Sequence, residues 1–370
     1  MRRLAYFLTR RLVASVFTLL LVITLTFVLF WAIPATPPAQ YLYPFAQHLS
    51  NYQIQRGNHV FGLDKPKYVQ WAKYVEHLAE GDFGKDWNGT HINADQSVTQ
   101  VPINDRIIRE TRITLSLLLG GAALVLLLAL PLGAFAARYA GSIGDRLIGF
   151  LTLIAICTHP MVIGLILRTF FGDQHKWLPD GGYCTFGHHA VPISSSFNPF
   201  FSSASPSACA GGPWPWFEHL ILPWVSFALL FLALYTRMAR ASVLEVMHDD
   251  FVRTARSKGA GEPRVIGRHV LPYAGLRILT MIGMEIGTAI GIAVYIEAAF
   301  GLHGLATDAV FTFAGSSVLD LPVVLGIVTM ITLIVIVGNL LVDVLYAIID
   351  PRVGSVTRTR STAGIEPVVV

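Results

Sequence analysis

The sequence predicts an all-α membrane protein with six transmembrane helices. Of its 370 residues, 54% are hydrophobic and only 14% are charged, whereas a soluble domain has about 25% charged residues. The apolar residues also form blocks long enough for helices to cross roughly 30 Å of hydrocarbon. This composition excludes a disordered chain, and three cysteines in so long a chain exclude a small disulfide scaffold.

Six apolar segments reach or approach the length of about 20 residues that a transmembrane helix needs. They are Leu12–Ile33, Ile113–Ala137, Leu147–Leu167, Leu220–Thr236, Ile278–Ile296 and Leu321–Val342. The first segment is longer than the apolar core of about 7–15 residues in a signal peptide, so we interpret it as a retained helix. No segment shows the alternation of apolar and polar residues that is typical of a transmembrane barrel strand.

Arginine and lysine are concentrated before the first helix, between helices two and three, between helices four and five, and after the sixth. Because cytoplasmic loops carry an excess of these residues, both termini are predicted to be cytoplasmic. The predicted parts are 1–33 (N-terminus and first helix), 34–112 (a large external region), 113–171 (helices two and three), 172–219 (an extended external loop), 220–350 (helices four to six, with a cytoplasmic loop at 237–277) and 351–370 (a cytoplasmic tail).

The two external regions contain different features. In the first, Tyr68–Glu80 has the apolar spacing of a short amphipathic helix. In the second, Cys184 and Cys209 fall on the side of the membrane where disulfides persist. We therefore hypothesise a Cys184–Cys209 bridge, and the alternative is two unpaired thiols. Cys157 lies within the third apolar segment and is expected to be an inert apolar residue.

The cytoplasmic loop is predicted to form two short helices around a glycine turn. Gly259 and Gly261 end the first helix, and Pro263 opens the second. An apolar stripe precedes the turn, formed by Val243, Met247, Phe251 and Ala255. A stripe without a core of its own suits a groove on a partner protein. The alternative is a basic amphipathic helix on the lipid surface, against which the acidic residues and the glycines argue.

The spacing in this loop resembles that of ABC importer permeases. Their pattern is Glu-Ala-Ala, three residues, Gly, nine residues, Ile, one residue and Leu-Pro. Here Arg253-Thr254-Ala255 is followed at the same spacing by Gly259 and by His269-Val270-Leu271-Pro272, with Arg in place of Glu and His in place of Ile. The run from Asp250 to Gly259 resembles the dipeptide, oligopeptide and nickel subfamily, in its B-type permease subunit.

Further motifs of that family occur along the chain. They are Gly81-Asp82-Phe83-Gly84, His219-Leu220-Ile221-Leu222-Pro223, Glu297-Ala298-Ala299-Phe300-Gly301-Leu302-His303-Gly304-Leu305, Asn339-Leu340-Leu341-Val342-Asp343 and Asp350-Pro351-Arg352. His303 replaces the usual proline, and the loop 172–219 is longer than is usual in the family. The resemblance implies an importer permease fold and a subunit that moves peptides across the cytoplasmic membrane by alternating access.

In the family, the loop forms a coupling helix that docks on a separate ATPase subunit. The resemblance implies this role for Asp250, Ala255, Arg256, Lys258, Gly259, Leu271 and Pro272. It implies as partners a second homologous permease, two ABC ATPases that use ATP and Mg, and an external solute-binding protein. The chain has no phosphate-binding loop of the G-x-x-x-x-G-K-[ST] type. It is therefore expected to hydrolyse no ATP, to bind no cofactor and to be no enzyme.

Two carboxylates are candidates for the translocation path. Glu285 lies inside the fifth apolar segment, where an ionisable residue is a functional candidate by default. Glu297, with Asp308 and Asp320, would give the external mouth an acidic rim, and simple solvation is the alternative.

Three other functions stay open. Nickel or another small solute could replace peptide as cargo. A polytopic membrane enzyme is disfavoured because the zinc motif H-E-x-x-H is absent, and no metal site is predicted. An uncoupled channel would leave the spacing of the cytoplasmic motif unexplained.

Overall fold

A computed structural model describes residues 2–32, 39–43, 48–93, 98–186, 211–314 and 320–349. Five helices in this part are long and apolar enough to cross a membrane. They are α1 (Arg2–Ala32), α5 (Asn104–Arg138), α8 (Pro213–Val246), α11 (Leu271–Phe300) and α13 (Leu321–Ile349). The predicted all-α membrane fold is confirmed.

The third predicted span is a bent pair of helices. Helix α6 (Ile143–Cys157) and helix α7 (Pro160–Leu167) meet at 102°, and α7 continues into a π-helical turn over Arg168–Gln174. The segment Leu147–Leu167, predicted as the third span, is thus helical on both sides of a bend just before Pro160. Helix α6 ends at Cys157, and the next residue, Thr158, is extended (φ −95°, ψ 129°). His159 is also extended (φ −65°, ψ 136°), because a residue before proline is driven to extended backbone. Nδ1 of the His159 ring accepts a hydrogen bond from the Met161 amide at 3.3 Å and so caps α7.

The region before α5, predicted to be external, contains three short helices and a hairpin in its described residues. The helices are α2 (Ala39–Leu42), α3 (Asn51–Val60) and α4 (Lys67–Ala79). Helix α4 confirms the amphipathic helix predicted for Tyr68–Glu80. Strands β1 (Lys85–Ile92) and β2 (Val98–Pro102) pair antiparallel with an irregularity between Asp86 and His91. The sequence analysis did not predict this hairpin.

Helices α5 and α8 form the main contact of the bundle because small residues let their backbones approach closely. A Cβ at Gly120 would overlap the Trp224 ring, and one at Gly133 would overlap Ala239. The Trp224 indole donates to the Ser116 carbonyl at 2.9 Å. Without a hydrophobic force between helices in lipid, this close packing and hydrogen bonding hold the pair together.

The external region is anchored on helix α12 (Leu305–Ala314) and on α13. The Gly81–Gly84 motif forms a tight turn, in which the Asp82 carboxylate accepts the Gly84 amide at 2.9 Å. The turn inserts Phe83 into a buried cluster whose other members are Ile103, Ile107, Leu305, Val323 and Ile327. The Trp87 amide also donates to Asp320 at 2.9 Å. This region is therefore fixed to the external ends of the helices.

Candidate coupling segment, central cavity and external junction

The segment between the fourth and fifth spans consists of short helices, as the sequence predicts. It contains α9 (Asp250–Ser257), α10 (Glu262–Val265) and a π-helical turn over Ile266–Val270. We call residues 247–270 the coupling segment, because α8 and α11 extend into the predicted loop 237–277 from both sides. Helix α8 ends at Val246, so the predicted stripe from Val243 to Ala255 spans a turn and is not one helical face.

The coupling segment has its own apolar core, contrary to the expectation from the sequence. Val252, Val265 and Val270 are fully buried, and Ala255 is 9% exposed. They pack with Val243 and Val246 of α8, Ile266 of the π-helical turn, Ala274 of α11, and Ala134 and Ala137 of α5. Val243 and Ala255 of the predicted stripe lie in this core and Met247 packs against it, whereas Phe251 is 38% exposed. This packing joins α9 to three long helices.

The face of α9 away from this core is polar and exposed. The Asp250 side chain is 98% exposed and lies 3.8 Å from Arg253, whose side chain is 79% exposed. Lys258 and Gly259 are also exposed. Gly259 has φ +81°, and a Cβ built there would meet no atom within 4 Å. The positive φ therefore favours glycine at this position, although a side chain would meet no neighbouring atom.

One ion pair spans the glycine turn inside the coupling segment, and a second joins the two long helices that flank it. Arg256 donates to Glu262 at 2.7 Å across the glycine turn. Arg277 and Glu245 form a two-point pair between α11 and α8. Arg256 was predicted to contact a partner, and the structure shows it paired within the segment. Pro272 lies in the first turn of α11, and the half-buried Leu271 packs on the core of the segment.

A cavity of about 570 Å³ lies among α5, α8, α11 and α13. Apolar side chains form most of its wall. The polar members of the lining are Glu285, Tyr235 and Thr111, and Glu285 is the only carboxylate among the described lining residues. Thr111 is 9% exposed, and its hydroxyl has no hydrogen-bond partner in the part of the chain that the structure describes. The cavity thus presents a carboxylate and a free hydroxyl within an apolar wall.

Glu297 does not belong to an exposed acidic rim, and that interpretation is wrong. It is fully buried and accepts hydrogen bonds from the Thr114 hydroxyl at 2.6 Å and from the Thr307 amide and hydroxyl at 2.8 Å each. Asp320 is 5% exposed, and Asp308 makes a two-point pair with Arg106 at 2.7 Å. These carboxylates join structural elements at the end of the bundle opposite the coupling segment.

The Glu297–Leu305 motif explains how this junction is built. Gly301 has φ +61° and ends α11 in the left-handed conformation. The chain then turns so sharply that a Cβ on Gly304 would overlap the Glu297 carboxylate. Glu297 thereby receives the free amide at the start of α12 (Thr307), which a helix N-terminus leaves without an internal acceptor. The motif is visible in the sequence, but its role in joining helices is visible only in the structure.

The described parts of the extended loop 172–219 lie against the end of α11. The Gly182 amide donates to the Phe300 carbonyl at 2.9 Å. Buried Arg168 donates to the Ala299 carbonyl at 2.8 Å, a contact that the sequence did not reveal. Cys184 is buried and disulfide-bonded, and Cys157 is a free, exposed cysteine. Cys209 lies outside the described residues, so its pairing with Cys184 stays a prediction.

Long apolar helices, with short helices around a glycine turn between the fourth and fifth spans, are typical of a membrane component of a transport system. A family model described as "Binding-protein-dependent transport system inner membrane component" matches residues 129–355. The model for the N-terminal part of such components matches residues 4–117. The chain belongs to this family of multi-pass inner-membrane permeases. It is a transport subunit rather than an enzyme.

Relatives match over nearly the whole chain. The oligopeptide transport system permease protein AppB of Bacillus subtilis is 31% identical over 95% of this chain and 99% of its own. A probable peptide ABC transporter permease protein, y4tP of Sinorhizobium fredii, is 29% identical over 94% of this chain and 98% of its own. The dipeptide transport system permease protein DppB of Alkalihalophilus pseudofirmus is 28% identical over 93% and 98%.

Proposed function

We propose that this chain is a permease subunit of an ABC importer that moves di- or oligopeptides across the cytoplasmic membrane. The observation that carries the proposal is the coupling segment, which exposes α9 and the Gly259 turn while its core is joined to α5, α8 and α11. The names of the relatives, which refer to oligopeptides and dipeptides, support peptide rather than nickel as cargo.

The packing of the coupling segment supports transmission of movement to the membrane. A separate ATPase dimer would bind ATP and Mg and close around the exposed face formed by Asp250, Lys258 and Gly259. Because close-packed interiors transmit displacement rather than absorb it, movement of α9 would displace the long helices that share its core. Such movement of one bundle against another would produce alternating access.

The central cavity supports the proposal because it offers a place where a peptide would bind. Glu285 would attract the ammonium group of a peptide, since a carboxylate is the strong acceptor for a charged donor in an apolar surrounding. The apolar wall would tolerate different side chains. A second permease subunit would close the open side of the cavity, and an external solute-binding protein would deliver cargo. We place both termini in the cytoplasm from the distribution of arginine and lysine.

Disulfide crosslinking tests the coupling segment. In a Cys157→Ser background, Asp250→Cys and Lys258→Cys should each crosslink to an ATPase subunit carrying a cysteine in its docking cleft. Lys65→Cys is a matched control, since it is exposed in the external region. If the two coupling-segment cysteines crosslink no more than Lys65→Cys in assembled complexes, the proposal is wrong.

A further inference from the structure

A second cavity lies between α6 and α8, at the end of the bundle that carries the coupling segment. Its volume is about 210 Å³, and its wall is polar in comparison with the central cavity. It is lined by Asp145, Ile148, Gly149, Thr152, Thr236, Arg237 and Arg240. The role of the coupling segment does not involve this cavity.

Hydrogen-bond donors dominate the wall of this cavity. The only carboxylate of the described lining, Asp145, is already occupied, because Arg240 contacts it at 2.7 and 2.8 Å and the Gly141 amide donates to it at 2.9 Å. Arg237 donates through Nε to the Thr152 hydroxyl at 3.3 Å. Its terminal nitrogens meet no acceptor among the described residues. The guanidinium of Arg237, an exposed residue, therefore has no ion-pair partner among the described residues.

Thr236 supplies an independent sign of a missing ligand. It is 1% exposed and lines the cavity, yet its hydroxyl has no partner within the described ranges. By contrast, the hydroxyl of Thr152 on α6 has a partner, since it donates to the Gly149 carbonyl at 2.9 Å. A buried hydroxyl without a partner loses the hydrogen bonds that it would make to water. An acceptor inside the cavity would compensate for that loss.

We propose that this cavity binds the phosphate group of an anionic phospholipid. Arginine and hydroxyl donors that converge on one cavity match the oxygens of a phosphodiester, and basic pockets between transmembrane helices bind such headgroups. The surface of α6 argues for a lipid rather than free phosphate. Thr152 is the only buried residue of α6, and Leu147 and Leu151 are each more than half exposed, so acyl chains can lie beside the cavity.

The test is lipid binding by the full-length chain in nanodiscs. Native mass spectrometry would compare retained phosphatidylglycerol with phosphatidylcholine. We expect the wild-type protein to retain phosphatidylglycerol selectively. Arg237→Ala should weaken retention about tenfold, the size expected for loss of a hydrogen bond to a charged group. Thr236→Val removes only the hydroxyl and should weaken retention less.

The matched control is Arg253→Ala, which removes an exposed arginine of the coupling segment. It should retain phosphatidylglycerol as the wild type does. Equal retention of phosphatidylglycerol by the wild type and by Arg237→Ala would overturn the proposal and indicate that the cavity holds only water. Inorganic phosphate supplies the second arm: if it displaces phosphatidylglycerol and protects the protein equally without lipid, the assignment to a phospholipid is wrong.

Discussion

Glu297 is the residue on which the external junction depends. Its carboxylate lies at the end of α11. It accepts hydrogen bonds from the Thr114 hydroxyl in α5 and from the Thr307 amide in the first turn of α12. Gly304 leaves room for this carboxylate. One buried side chain thus joins three helices, because an unpaired carboxylate in an apolar interior would be far more costly than a fully hydrogen-bonded one.

Substitution of Glu297 should destabilise the protein. In Glu297→Gln, one carboxylate oxygen becomes an amide donor that faces other donors. We expect a loss of about 1–3 kcal/mol, the cost of unpaired buried polar groups, measured as a lower midpoint of thermal unfolding in detergent. Glu80→Gln, at an exposed position, is the control. An unchanged midpoint for Glu297→Gln would contradict the junction described here.

Substitution of Gly259 should impair docking on the ATPase subunit rather than folding. Asparagine accepts positive φ, and open space surrounds this position. Gly259→Asn should therefore fold but weaken association with the ATPase subunit at least about tenfold, as expected for one central contact. Gly81→Asn is the control, because Gly81 has φ +82° and equally open surroundings. Equal co-purification of the ATPase with both variants would refute this prediction.

Glu285 should affect transport without affecting assembly. Glu285→Gln keeps the shape of the side chain and removes its charge, so we expect peptide uptake in proteoliposomes to fall about tenfold through loss of one charge-assisted contact. Glu76→Gln on the exposed face of α4 is the control. Uptake that is unchanged over a range of peptides would leave Glu285 a structural residue.

At the scale of elements, the coupling segment is an extension of the bundle rather than a separate loop. Val252 is fully buried in a core that contains residues of α5, α8 and α11, while Thr254 of the same helix faces outward. The ion pair Arg256–Glu262 spans its glycine turn, and Arg277–Glu245 joins the flanking helices α11 and α8. Both pairs are partly exposed, so each contributes little. Apolar packing therefore provides the rigidity that coupling requires.

Val252→Ala tests this rigidity. It removes two buried methyl-sized groups, which costs about 2 kcal/mol at about 0.8 kcal/mol per group plus a cavity term. We expect the loosened α9 to lower peptide-stimulated ATP hydrolysis while the ATPase still binds. Thr254→Ala is the matched control because it shortens a branched side chain on the exposed face of the same helix. If both variants couple equally well, the core of the segment does not transmit movement.

At the scale of the whole molecule, the bend at Pro160 changes the arrangement of the third span. Helices α6 and α7 each fall short of a membrane crossing, and their 102° angle directs α7 toward α11, which it contacts. Pro131 and Pro223 lie inside continuous helices. Pro160 differs because His159 leaves the helical conformation and caps the new helix.

The membrane orientation can be measured with cysteines introduced one at a time in a Cys157→Ser background and compared with that parent, which keeps Cys184 and Cys209. If both termini are cytoplasmic, a membrane-impermeant thiol reagent should label Ser142→Cys and Ser257→Cys only from the cytoplasmic side, and Ser50→Cys only from outside. Ser226→Cys is the control and should stay unlabelled, since Ser226 is fully buried. Labelling of Ser142→Cys and Ser50→Cys from one side would contradict the orientation.

The sequence by itself determined the spans, the glycine turn and the family, because these depend on local composition and spacing. Apolar runs predict helices whatever their neighbours are, and Gly259 with Pro263 sets a turn within a few residues. Tertiary structure alone decided the role of Glu297, the internal core around Val252 and the partners of Arg168. Each depends on which distant side chains become neighbours after packing. Whether a carboxylate is solvated at a surface or buried in a junction depends on residues far away in the chain. Thr114, for example, contacts Glu297 from nearly two hundred residues away.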